Sequence, residues 1–138
     1  MTPATARAST TDTEAWPVLA GIDMAAAQRS CGSSYQLYER MLGLLVLHYR
    51  SWTEDWLAAT RASEVTDNSA LCASLHKLRG SVSMMGALYL AEVAEQAEYS
   101  LREKQEEPRA AVQRVGALLD DLLDQVSAWQ RSAQTSRG

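Results

Sequence analysis

Proline is scarce in this chain, with only Pro3, Pro17 and Pro108, so the long stretch from Ile22 to Glu107 has no proline breaker. Runs of alternating branched and aromatic residues are also missing, which argues against a sheet. Cysteine is limited to Cys31 and Cys72 with no CxxC spacing, too few for a disulfide scaffold. Both are expected to be small buried or half-buried hydrophobes of a reducing compartment. No basic excess exists: 13 Lys and Arg face 17 Asp and Glu, for a net charge of −4. A chain of that balance has no cationic face to displace counterions from phosphates, which argues against nucleic-acid binding. The longest uncharged stretch, Gly80 to Ala91, has twelve residues, short of the roughly 18 that a membrane span needs. The leader from Met1 to Thr13 is mostly Thr, Ala and Ser, without the apolar core of a secretory signal. Cytoplasmic location is the resulting expectation.

What is present is helical rhythm. With 138 residues, 46% of them hydrophobic, the chain suits one compact domain. Asp23 can cap a short helix from Met24 to Arg29 that stops near Gly32. Ser33 or Ser34 can cap a long one ending near Arg61, with Tyr38, Met41, Leu45, His48 or Tyr49, Trp52 and Trp56 on its apolar side. After the polar stretch Ser63 to Asn68, Leu71, Leu75, Leu78, Val82 and Met85 recur at 4, 3, 4, 3, the spacing of a bundle seam. Gly86 interrupts it. A third helix carries Leu90, Val93, Ala94, Ala97 and Leu101 on one side, with Glu92, Glu95 and Glu98 expected on its solvated face. Pro108 opens the last helix, whose Val112, Val115, Leu119, Leu122, Val126 and Trp129 keep the rhythm. The prediction is an all-α protein: an antiparallel four-helix bundle with a short additional N-terminal helix. Residues 1–15 are expected as a disordered leader, 16–131 as the bundle and 132–138 as a frayed tail.

The chemistry is concentrated in Leu75-His76-Lys77-Leu78-Arg79-Gly80-Ser81-Val82-Ser83-Met84-Met85-Gly86-Ala87. His76 lies about 100° round the helix from Leu75, so with Leu75 in the core the imidazole sits on the border and reaches solvent. Cys72, Ala73 and Gly80 are small residues one turn away, Ser83 is small and a second turn on along the same face, and Arg79 adds a cation. Gly80 inside a helix costs roughly 1 kcal/mol against alanine, which close approach of another surface would offset. An exposed imidazole beside a guanidinium suits holding a phosphoryl group: the ring gives a nucleophilic nitrogen and the cation offsets charge on the phosphoryl oxygens.

These residues resemble the signature of the histidine phosphotransfer (HPt) domains of bacterial phosphorelays. His76 is followed at matching positions by Leu78, Arg79, Gly80, Ser81, Gly86, Ala87 and Leu90. The lead-in Leu19-Ala20-Gly21-Ile22-Asp23 and the segment Tyr38-Glu39-Arg40-Met41-Leu42 are similar too, so the resemblance runs from Val18 to Trp129. One departure is Arg79, where the family usually has lysine, and the two are not interchangeable in phosphate geometry. The resemblance implies that His76 takes a phosphoryl group from an aspartyl phosphate on a receiver domain and passes it to another receiver. Arg79 would stabilise the phosphate, and Cys72, Ala73, Lys77, Gly80 and Ser83 would form the docking face. The expected partners are receiver domains of response regulators or hybrid kinases. No cofactor of its own is expected, Mg²⁺ being supplied by the receiver, and the protein is expected to be a monomer. No P-loop or kinase-type glycine motif is visible, so autophosphorylation from ATP is not expected.

Blander readings compete. His48 lacks a cation or glycine companion and is assigned to the core or its border. Cys72 and His76 have metal-ligand spacing, but no second pair completes a site. Met84, Met85 and the four tryptophans read as packing, with some exposed members available to a docking patch. Two other functions remain: a receiver-binding module without phosphotransfer, and an unrelated structural bundle that happens to present His76.

Overall fold

The structure, a computed structural model, describes residues 16–62 and 68–137. Every regular element among them is a helix: α1 (Met24–Ser30), α2 (Tyr35–Tyr49), α3 (Trp52–Ala62), α4 (Ser69–Met84), α5 (Leu88–Arg102) and α6 (Pro108–Arg137). The leader 1–15 and most of the polar connection, 63–67, lie outside the described residues.

The caps follow the sequence. Asp23 Oδ1 accepts from the Ala26 N–H at 3.1 Å, and Ser34 Oγ accepts from the Leu37 N–H at 3.2 Å, each satisfying a donor that the first helical turn leaves free. Pro108 opens α6, which continues as helix to Arg137, past the point where the apolar rhythm stops. The seam residues Leu71, Leu75, Leu78, Val82 and Met85 are all buried. They meet Leu90, Val93, Ala94, Ala97 and Leu101 of α5, and Val112, Val115, Leu119, Leu122 and Val126 of α6, in one core. Each large aliphatic side chain so buried contributes on the order of 1.5–3 kcal/mol.

Neighbouring helices run in opposite directions where side chains tie them. Tyr38 and Trp52 reach back along α4, to the Met85 carbonyl at 3.0 Å and to Ser74 Oγ at 2.7 Å. Arg79 and His76 likewise meet Glu95 and Glu98 in reverse order along α5.

One expectation is corrected. The first long helix is two helices, α2 and α3, divided at Arg50 and Ser51. At the start of α3, consecutive side chains bond to different helices: Trp52 Nε1 to Ser74 of α4, and Thr53 Oγ1 to Asp120 of α6 at 3.2 Å. Thr53 also presses on Gly116, where a Cβ would fall 2.6 Å from its methyl and hydroxyl. Long-range contacts of this kind override a continuous local pattern.

The turn after α4 is bound from two sides. Gly86 has φ of +88°, and a Cβ there would meet the Asp23 carbonyl oxygen at 2.5 Å. In the absence of one, the Asp23 N–H donates to the Gly86 carbonyl at 2.8 Å and α1 lies on the turn, while the Tyr38 hydroxyl donates to Met85. Trp16 stacks on Tyr38 with centroids 5.0 Å apart and holds the N-terminal segment over α2.

Candidate functional site

With Leu75, Leu78 and Val82 turned inward, α4 presents His76 outward, its side chain 62% exposed. Both polar contacts of the ring fall on Nδ1. Arg79, one turn on, places Nη2 at 3.1 Å, and Glu98 of α5 places Oε1 at 3.5 Å. Neither contact uses Nε2 of the exposed ring.

Glu98 corrects the sequence reading. It was expected on the solvated face of α5, yet it is only 4% exposed and is the one buried charged residue among those described. It follows Ala97 on the face that packs against α4, and its carboxylate is held by Arg102 on one side and His76 on the other. Glu95, one turn earlier, is on the expected exposed side at 61%, and its Oε2 lies 2.6 Å from Arg79 Nη1. The Arg79 side chain is 31% exposed and bridges Glu95 and the imidazole. Sequence reasoning missed both carboxylates as site residues. The signal was available: Glu98 stands about 100° from Ala97 just as His76 does from Leu75, a border position on a facing helix.

Of the docking candidates, Ala73, Lys77, Gly80 and Ser83 are exposed along one strip of α4 with His76. A Cβ at Gly80 would meet nothing within 4 Å, so the space above His76 is open. Cys72 does not belong to this strip. It is 6% exposed and its Sγ lies 3.8 Å from the Glu98 carbonyl. At 100° per residue Cys72 is turned about 40° from His76 toward the core, and Gly80 about 40° away from it.

On the other flank of α4 an apolar groove of about 500 Å³ opens against α2, with Met41, Leu44, His48, Trp52, Lys77 and Met84 among its walls. Leu44 and Met84 are exposed apolar side chains, and His48, expected in the core or on its border, is exposed on the groove wall while Tyr49 beside it takes the buried position. No group of three or more His, Cys, Asp or Glu side chains that could hold a metal ion occurs among the described residues.

The model of the Hpt domain family matches residues 39–129 of this chain. The chain belongs to the Hpt domain family. That span includes α4 and α5, hence His76, Arg79, Glu95 and Glu98, and leaves α1 and the lead-in outside it. Comparison with curated proteins and with solved structures gave no match. Membership of the Hpt family implies histidine phosphotransfer in phosphorelays and interaction with receiver domains in general. No helix among the described residues of this Hpt protein is long and apolar enough to cross a membrane.

Proposed function

We propose that this chain is a phosphocarrier in which Nε2 of His76 accepts a phosphoryl group from the aspartyl phosphate of a receiver domain and passes it to a second receiver. The observation that carries this reading is an imidazole exposed on an Hpt bundle with its polar contacts confined to Nδ1. A carboxylate can only accept, so Glu98 favours the ring form protonated at Nδ1, in which Nε2 has the lone pair. That lone pair forms the N–P bond while the P–O bond to the aspartate breaks and the carboxylate departs with the electron pair. The product ring is cationic, and buried Glu98 balances its charge from the Nδ1 side. Arg79 offsets charge on the phosphoryl oxygens through charge-assisted hydrogen bonds. The Mg²⁺ of such a transfer belongs to the receiver.

The docking face we assign is the strip Ala73, Lys77, Gly80 and Ser83, continued over the groove lined by Leu44 and Met84. Small residues above the histidine let a partner approach, and exposed apolar side chains beside it offer area to bury.

The test mixes the protein with radiolabelled phospho-receivers. The wild type takes up an acid-labile, base-stable label, and His76→Gln, an exposed substitution, stays folded and takes up none. Label on His76→Gln would remove His76 from its role. Receiver binding without any label on the wild type would instead make the chain a binding module.

A further inference from the structure

The two contacts on Nδ1 of His76 select opposite forms of the ring. A guanidinium can only donate, so the 3.1 Å approach of Arg79 Nη2 calls for a lone pair on Nδ1 and leaves the ring proton on Nε2. Glu98 Oε1, at 3.5 Å, calls for the proton on Nδ1 and leaves the lone pair on Nε2. The guanidinium contact is the shorter. It is also fixed from behind, because Glu95 Oε2 holds Nη1 of the same group at 2.6 Å.

From this geometry we infer that Glu95 is a positioning residue: it parks Arg79 on Nδ1 and so holds resting His76 in the Nε2–H form, in which Nε2 has no lone pair to offer. The inference rests on the phosphocarrier reading. When a phosphoryl group reaches Nε2, its oxygens compete with Glu95 for the guanidinium. As Arg79 turns toward them, Nδ1 is released to Glu98. Nδ1 then takes a proton from water while Nε2 gives one up, and the ring remains neutral with its lone pair facing phosphorus. The arriving donor thus unlocks the nucleophile that it needs. The planar fork of arginine suits this, since Nη1 and Nη2 engage the two partners from separate atoms, as the single nitrogen of a lysine could not. The latch is shallow. Glu95 and Arg79 are 61% and 31% exposed, and an ion pair in such surroundings shifts an equilibrium by about fivefold at most.

Long-range ¹H–¹⁵N spectra of the intact labelled protein read the two ring forms directly at about pH 9, where an ordinary imidazole is neutral. The chain has only 2 histidines, and the His76 ring is the one whose signals vanish in His76→Gln. The wild type is expected mainly in the Nε2–H form, and Glu95→Gln to move the ratio toward Nδ1–H by up to about fivefold. Arg79→Gln should move it at least as far, and Glu95→Gln added to Arg79→Gln should change nothing more, because Glu95 acts only through Arg79. A wild type already mainly Nδ1–H overturns the inference. So does a ratio unmoved by Glu95→Gln, or a shift that persists without Arg79. Labelling of the same samples with phosphoramidate separates the two levels. If wild-type His76 takes the label while Glu95→Gln leaves the ratio alone, the latch alone falls; if His76 takes no label, the phosphocarrier reading falls and the latch with it.

Discussion

Replacing Gly80 with glutamine should raise the stability of the protein and impair its transfer. Gly80 lies inside α4, between Arg79 and Ser81, and a Cβ there meets no atom within 4 Å. The substitution therefore removes the backbone freedom of glycine from a helix without a clash, a gain of about 0.5–1 kcal/mol. For a domain of this size that corresponds to a rise in Tm of about 2–5 °C. The same side chain projects one turn beyond His76 into the space assigned to the receiver. An obstruction of about 1.4 kcal/mol is enough to weaken docking tenfold. Thermal unfolding followed by circular dichroism, receiver binding by calorimetry, and labelling by phospho-receiver and by phosphoramidate give the four readings. Binding and transfer from the receiver should fall together, while phosphoramidate, which needs no docking face, should label His76 at close to the wild-type rate. A lower Tm would mean that Gly80 serves packing. Normal transfer from the receiver would mean that it docks elsewhere.

Three further outcomes are expected. Arg79→Ala should slow transfer or shorten the phosphohistidine lifetime and Arg79→Lys should lose little; equal rates in all three proteins would reduce Arg79 to a surface cation. Glu98→Leu should slow labelling of His76 by on the order of tenfold, the scale on which carboxylates that orient an imidazole act, and Glu98→Gln should keep part of the rate because an amide oxygen still accepts from Nδ1. Burial first, and Cys31 second, push the Tyr38 phenol up to about 12, so the folded state retains a proton that the unfolded chain loses near pH 10. The associated stability is complete below about pH 10 and is lost as pH rises through about 12, with a slope on the order of 1.4 kcal/mol per unit. Tyr38→Phe should abolish that part of the alkaline slope in denaturant titrations, at a cost of about 1 kcal/mol for the hydrogen bond to Met85. An unchanged slope would show that the phenol is not protected.

Much of the helical architecture was legible because the apolar rhythm and the caps are local. The spacing of Leu71, Leu75, Leu78 and Val82 gives the buried face of α4, and with it the outward turn of His76 and Arg79. What stayed hidden depends on a second helix. The rhythm from Tyr38 to Trp56 runs through Arg50 without a fault, and only the bonds of Trp52 and Thr53 to α4 and α6 show why the helix divides there. Glu98 reads as one more acid on an acidic face until α4 is laid against it with His76 and α5 supplies Arg102. Cys72 shares a spacing with His76, but a modest rotation about the helix axis places it under the contact with α5 rather than on the surface.

The close pairing of α4 with α5 also bears on how the protein folds. All four side chains of the site stand on one helical hairpin closed by the short turn at Met85 to Ala87, and their links span 3 positions from Arg79 to His76, 16 from Arg79 to Glu95 and 22 from His76 to Glu98. Loops of that length close at small entropic cost, so the four side chains meet through links within the hairpin, while Asp23 and Tyr38 hold its turn from outside. Opening at the far end of α6 can thus proceed in amide exchange while the hairpin stays protected. A transplant of 69–102 onto another helical scaffold that covers the same apolar seam would carry His76, Arg79, Glu95 and Glu98 together, provided the scaffold replaces the contacts of Asp23 and Tyr38 with the turn.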